Sequence, residues 1–475
     1  MHAKLAAAAA AVAAVAPLAA AEQVLGVYVF HRHGDRSAKV LPKVHLTPLG
    51  ADQVHSSAQF YRDRYVQGKS DLAVATLNAD KVDTSQLQIT APKDGPLHIS
   101  AESFAQGLYP PLGDSVTVKL ANGSEIAGPL NNYQYIPVNA ISEAATVDKA
   151  ESKTWLQGGS GCSNAEVSSN EYLSSPSYQT QLKDTEDFYH SLLPTIKSSF
   201  SEDKANFKNA YAIFDYINVG KIYNDTDIVD DATYNRLFTL ASDLEWNLAY
   251  NESAPVRAIA GSVLAGQILS SLQSIIDKPA ASPRFNAQFG AYGTFMSFFG
   301  LAQLPAASKD FYGIVDYASS MAFELVTNST EAQPAAKDVS VRFFFANGTA
   351  TADAFTSFPL FGQDKTTLSW DDFKSGMGKF AIEDDDHWCQ LCGNHDGKCA
   401  ADGTASDSGA NTNSNGSGSS SGVSKPVAGV IGALVTLVVV LGALAAVMLV
   451  GGVRFAKKST IAQAHANQNN AAIKG

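Results

Sequence analysis

The spacing of apolar positions changes along the chain, and the changes divide it into regions. Met1–Ala21 has one basic residue, Lys4, then an Ala/Val-rich run and small residues at Ala19–Ala21, the layout of a secretory signal peptide. Gln23–Phe30, reading QVLGVYVF, has the β-branched and aromatic content of a buried strand and stops at the polar loop His31-Arg32-His33-Gly34. Thr47-Pro48 then opens a helix, with Thr as N-cap and Pro at the first helical position, and apolar residues recur at Leu49, Val54, Ala58, Tyr61 and Tyr65. Strand, polar loop and helix in that order suit an open α/β sheet, which collects ligands outside the carboxyl ends of its strands.

From about residue 131 to 254 the pattern turns mainly helical, with segments near Gln179–Phe200, Lys204–Ile217 and Asp231–Tyr250 and no alternating strands between them. This predicts a helical cap inserted into the α/β domain. Val256, Ile259, Val263, Leu264, Ile268, Leu272 and Ile275 mark an amphipathic helix back at the core. Strand-like runs follow at Arg284–Gly290, Met321–Thr327 and Val339–Ala346, with a helix at Thr294–Leu304. Ser369-Trp370-Asp371-Asp372 has the form of a capping box at a last short helix.

Beyond residue 400 the chain is of another kind. Ala405–Val423 is a Ser/Gly/Asn stretch with nothing to bury, which reads as a flexible stalk. Val427–Val453 holds no charge over 27 residues, and at ~1.5 Å per residue it exceeds the ~30 Å hydrocarbon core of a bilayer. Arg454, Lys457 and Lys458 follow at once and belong on the cytoplasmic side, so the expected topology is type I single-pass. The polar end AHANQNNAAIKG argues against a GPI signal, which ends apolar. The expected layout is therefore a signal peptide at 1–21, a folded domain at 22–400, a stalk at 401–426, a transmembrane helix at 427–453 and a cytoplasmic tail at 454–475. The domain would be displayed at the cell surface on the plasma membrane.

An apolar content of 45 % is globular, and a formal charge of −12 excludes a nucleic-acid-binding surface of the usual basic kind. Asn-x-Ser/Thr sequons begin at Asn122, Asn224, Asn251, Asn328, Asn347 and Asn415, all on the side where glycans are added. Cys162, Cys389, Cys392 and Cys399 suggest two disulfides in an oxidising compartment, with three pairings open.

Arg32-His33-Gly34-Asp35-Arg36 is the densest chemical signal. Two guanidinium groups offer forked donors that suit phosphate oxygens, and an imidazole between them can attack phosphorus and hold the phosphoryl group covalently. No Walker loop, dinucleotide fingerprint or metal-ligand triad is present, so neither metal nor cofactor is expected.

RHGDR at the end of the first strand resembles the histidine acid phosphatases, a branch of the phosphoglycerate-mutase-like superfamily. The likeness continues in LTPLGADQ (Leu46–Gln53), Arg62 and Arg64-Tyr65, SAESFAQGLYPP (Ser100–Pro111) and Ser369-Trp370-x-x-Phe373. It implies a three-layer α/β core with an inserted helical cap, His33 as the nucleophile that becomes phosphohistidine, Arg32 and Arg36 as phosphate ligands, and a phosphorylated small molecule as substrate. It also implies that Cys162 reaches the C-terminal segment, favouring Cys162–Cys389 with Cys392–Cys399.

Two departures stand out. Where the family supplies a further phosphate-binding Arg, this chain reads Thr90-Ala91-Pro92-Lys93-Asp94, with Lys93 as a stand-in. Where the family carries a His-Asp pair, whose Asp protonates the leaving oxygen, it has Tyr292 and Gly293. Glu102 and Asp94 are other acids near the expected pocket, more readily explained as a helix-start carboxylate and a turn residue. His395-Asp396 lies between Cys392 and Cys399, beyond the last helix, and is set aside, while His31, His45, His55 and His98 read as surface or packing residues. The expected function is an extracytoplasmic phosphomonoesterase weakened by loss of its acid. The alternative is an impaired surface protein that binds a phosphate ligand or a partner.

Overall fold

Burial runs almost unbroken along β1 (Gln23–Arg32), as it does in a strand covered on both faces. In the computed structural model this strand lies inside a mixed sheet with β2 (Leu87–Pro92), β3 (Val138–Ile141), β4 (Phe285–Gly290), β5 (Ser320–Thr327), β6 (Val339–Ala346), β7 (Thr356–Ser357) and β8 (Thr367–Ser369). The order is β8-β6-β5-β1-β4-β2-β3, with β7 on β6. β1, β4, β2 and β3 are parallel, while β5 runs antiparallel to β1. The described residues are 22–395 and Cys399, without 68–71, 75, 94, 115, 142–160 and 224–227. The expected signal peptide, stalk, membrane helix and tail lie outside them, as do Asp94, Asn224, Asp396 and Asn415.

Alternation along β1 builds the layers. Val27 and Val29 join a core with Tyr61 and Phe104 from α1 (Pro48–Tyr65) and α2 (Gly95–Leu108). Tyr28 and Phe30 join the opposite core. The cap contributes α3 (Ser163–Leu173), α4 (Ala210–Tyr223) and α5 (Asp231–Ala249). The second face of the sheet is covered by α6 (Ile259–Asp277) and α7 (Tyr292–Leu301). By the same period of two, Arg32 falls on the cap side and His31 on the other, where it stacks on Phe289 at 5.1 Å. The segment Pro255–Asp277 is long and apolar enough to cross a membrane, but it is largely buried, and α6 serves as a core helix.

Local signals placed the starts of α1 and of the helix after Ser369, but that helix is not the last, because a further one follows at Asp385–Cys392. Thr47 caps α1 by accepting from the Gly50 amide, and Ser369 caps α8 (Trp370–Met377) by accepting from Asp372. Two further expectations need correction. Strand β3 pairs with β2, so the stretch 131–254 is not wholly cap; four residues after Pro137 are too few to show a period. The segment near Gln179–Phe200 is also broken, into Pro176–Asp184, Glu186–Ser191 and Leu193–Ile196.

The favoured disulfide pairing is also overturned. Cys162 bonds Cys392 and Cys389 bonds Cys399. Cys389 and Cys392 share α9 (Asp385–Cys392), and the later one, at the helix end, meets the N-terminus of α3. Left-handed Gly393 (φ 65°) then turns the chain back so that Cys399 returns to Cys389. Non-reducing peptide mapping of the folded domain should recover a Cys162–Cys392 peptide pair, and a Cys162–Cys389 pair would contradict this packing. The long closure spans 230 residues and the short one 10, so opening the first should cost more, ~5 against ~3 kcal/mol on a chain-entropy basis.

Candidate functional site

The loop after β1 is fixed by backbone contacts before any side chain acts. The Arg32 amide donates to the Ser319 carbonyl at 2.8 Å, and the Ala318 amide donates to the His33 carbonyl at 2.9 Å. Ala318 takes a left-handed conformation (φ 62°), a strain of about 1–3 kcal/mol held at the turn that presents Tyr317. Gly34 lies back to back with Gly50 of α1: a Cβ on either would come within 2.0 Å of the other segment's backbone oxygen. No side chain fits at either place.

Asp35 braces the loop instead of serving chemistry. Its amide donates to Gln53 Oε1 at 2.9 Å, and its carboxylate accepts from Thr47 Oγ1 at 2.5 Å and from the Tyr223 hydroxyl. The α1 cap, the cap helix α4 and the loop are thereby tied to one buried carboxylate.

His33 is buried, and its Nδ1 lies 2.8 Å from the Gly34 carbonyl. That contact assigns the hydrogen to Nδ1 and the lone pair to Nε2. Burial first, then Arg32, Arg36 and Lys39, push its pKa well below the ordinary histidine value, so the ring is neutral. A neutral imidazole with a free Nε2 is a nucleophile.

The three residues singled out from the loop surround one aromatic ring. Tyr317 has its ring centroid 4.6 Å from the Arg32 guanidinium, 5.7 Å from that of Arg36 and 5.6 Å from the His33 ring. Arg32 donates to the Val315 carbonyl and lies 5.3 Å from the Tyr292 ring, while its Nε has no hydrogen-bond partner among the described residues.

Arg36 is engaged differently. Its Nη1 and Nη2 each lie 3.0 Å from a carboxylate oxygen of Asp215 in α4, and Nη2 also donates to the Tyr211 hydroxyl at 2.9 Å. Asp215 further accepts from the Lys39 amide at 2.7 Å and the Tyr317 hydroxyl at 3.1 Å. Burial opposes the charge on Arg36, but Tyr211, Tyr317 and Asp215 outweigh it and hold the guanidinium charged. The fork expected to grip phosphate is therefore occupied by the protein's own carboxylate.

Tyr292 and Gly293 stand at the start of α7, beside the Arg32–Gly290 register of β1 and β4. The Tyr292 hydroxyl donates to Glu245 Oε2 of α5 at 3.0 Å. Burial raises the Glu245 pKa, and the Tyr292 hydrogen bond and Lys39 oppose the rise. A Cβ on Gly293 would meet no atom within 4 Å.

Other candidates fall away from this cluster. Lys93 is exposed, Glu102 is exposed and pairs with His98 of its own helix at 3.6 Å, and His45 and His395 are exposed. Asn122, Asn328 and Asn347 are exposed sequon residues. Asn347 is committed to the site loop, accepting from the Asp316 amide at 2.9 Å and donating to its carboxylate at 3.2 Å.

Sequence reasoning missed Tyr211, Asp215, Glu245 and Tyr317. Asp215 had left a trace: it is the one acid in the apolar run Ala210–Ile217, and a charge buried in such a run requires a partner.

The chain belongs to the histidine phosphatase superfamily, branch 2, whose model matches residues 39–346 and so begins just after the RHGDR loop. Among solved structures it is similar to the apo form of Hafnia alvei phytase, with 13 % identity, a TM-score of 0.50, and 80 % of this chain and 99 % of that one covered. It is also similar to the phytase of Klebsiella sp ASR1, with 11 % identity, a TM-score of 0.53, and 76 % and 95 % covered. At these identities the likeness is one of fold. No curated protein matches the chain.

Replacing Asp215 with Asn strands a buried guanidinium, which should cost about 3–5 kcal/mol in urea unfolding. Inorganic phosphate should restore part of that loss by supplying the missing negative charge near Arg36. A wild-type midpoint, or one that millimolar phosphate leaves unmoved, would contradict the role given to Asp215.

Proposed function

We propose that the protein is an exported phosphomonoesterase that acts through His33 and turns over slowly, anchored by the C-terminal apolar segment. Family membership supports phosphomonoester hydrolysis as the class of activity. The observation that carries the finer reading is the His33 ring, neutral and hydrogen-bonded through Nδ1 to Gly34. Its Nε2 attacks phosphorus, the P–O ester bond breaks, and the electron pair leaves with the ester oxygen. Water then attacks the phosphohistidine and the N–P bond breaks, releasing inorganic phosphate. Arg32, next to His33 in the chain and in the wall of the adjoining cavity, supplies positive charge for the transferring group.

Protonation of the leaving oxygen is the weak step. Position 293 has no carboxyl, and Glu245 is hydrogen-bonded to Tyr292. A phenol of pKa ~10 leaves without help, whereas an alkoxide closer to water at ~15.7 needs an acid worth roughly 10²–10⁴ in rate. The grip of Asp215 on Arg36 favours a second reading, a site that binds a phosphate ligand without turnover.

At acidic pH the exported domain should cleave an aryl phosphate far faster than an alkyl phosphate, and equal rates would contradict the missing acid. Gly293→Asp meets no clash at its Cβ and should raise alkyl turnover by roughly 10²-fold or more while changing aryl turnover little. No gain on the alkyl ester would count against this placement of the acid position.

The pH profile supplies a separate check. A histidine with a lowered pKa stays unprotonated as pH falls through 6.5, so kcat/KM for an aryl ester should hold level there and decline only well below. A fall centred near 6.5 would show that His33 titrates as an ordinary, solvated imidazole.

A further inference from the structure

A cavity of about 290 Å³ opens between α4, α5 and the loop that carries Tyr317; His33 is not in its described lining but lies one ring away, 5.6 Å from the Tyr317 ring. Arg32 and Tyr317, which stack on one another at 4.6 Å, form part of its wall. Phe214, Tyr234 and Phe238 form another part, with the Phe214 ring 5.6 Å from Tyr234 and 5.4 Å from Phe238. Phe214 is buried, while Tyr234 and Phe238 are only partly covered. Their arrangement is a cluster of rings beside an opening.

The charges on the wall restrict what enters. Arg32 is the single basic residue in the described lining, and two carboxylates, Asp215 and Asp316, accompany it. One phosphoryl group can be balanced there. A ligand bearing several phosphates would place its further charges against aromatic rings and acids, where burial without a partner is unfavourable. The space suffices for an aromatic group, since a cavity of about 150 Å³ already accepts benzene.

We propose that this cavity receives the organic part of a small monophosphate ester of an aromatic alcohol, with the phosphoryl group at Arg32 and His33 and the ring against Phe214, Tyr234 and Phe238. The orientation rests on the phosphomonoesterase reading given above; the choice of ligand class rests on the cavity wall.

Calorimetric binding to the exported domain tests this without any need for turnover. The probes are 1-naphthylmethylphosphonate, methylphosphonate and myo-inositol hexakisphosphate, so a failure of catalysis and a failure of this assignment remain distinguishable. The naphthyl compound should bind at least about tenfold more tightly than methylphosphonate, and the hexakisphosphate more weakly than the naphthyl compound. Phe238→Ala should remove most of that margin, and Phe238→Leu, which keeps apolar volume but loses the ring, should remove part of it. Thermal unfolding of both variants identifies which of them is folded for the comparison. Equal binding of the two phosphonates, tighter binding of the hexakisphosphate, or no binding of the naphthyl compound would overturn the proposal. O-phosphotyrosine should displace the naphthyl probe more effectively than a phosphotyrosyl peptide, and equal displacement by the peptide would overturn the small-molecule assignment.

Discussion

A guanidinium buried at the end of a central strand must have an anion beside it, and in this protein Asp215 supplies that anion to Arg36. The pair joins two parts of the chain 179 residues apart, so the loop bearing His33 and the cap helix α4 hold one another in place. Tyr317 and the Lys39 amide complete the set of donors around the carboxylate. The tight contact of Gly34 with Gly50 fixes the same loop from below. Cap position and nucleophile geometry are consequently one property of the fold.

That pairing also sets the electrostatics of the site. With Arg36 matched by Asp215, the positive charge left to face an incoming phosphate is chiefly that of Arg32. Lys93 points to solvent, and Gly293 brings no acid. On the proposed reading, each change moves in the same direction, toward a site of modest grip on phosphate and little help for the leaving group. His33, its pKa held low by burial and the neighbouring cations, is the group to which the proposed function assigns the covalent step. The aromatic wall beside it suits a single phosphate on an apolar carrier.

Much of the framework was legible along the chain because it follows local rules. The run QVLGVYVF, the Thr47-Pro48 start of α1 and the Ser369 cap are local features, and each appears where the residues indicate. The RHGDR loop was legible because its chemistry is contiguous. What escaped was assembled across long separations. Asp215, Tyr317 and Glu245 come from a cap helix, a strained turn and a second cap helix, and only the folded chain brings them to Arg36, Arg32 and Tyr292. The disulfide pairing failed for a related reason, since residues on one helix face differ by a single turn in the partner they reach. Strand β3 was lost because four residues carry too little pattern.

The most direct test is to quench the exported domain rapidly during reaction with an aryl phosphate and map the covalent phosphate. The account predicts an acid-labile, base-stable phosphoramidate on the peptide containing His33, absent in His33→Ala. Ester turnover with no label on His33, or a label on another residue, would contradict it.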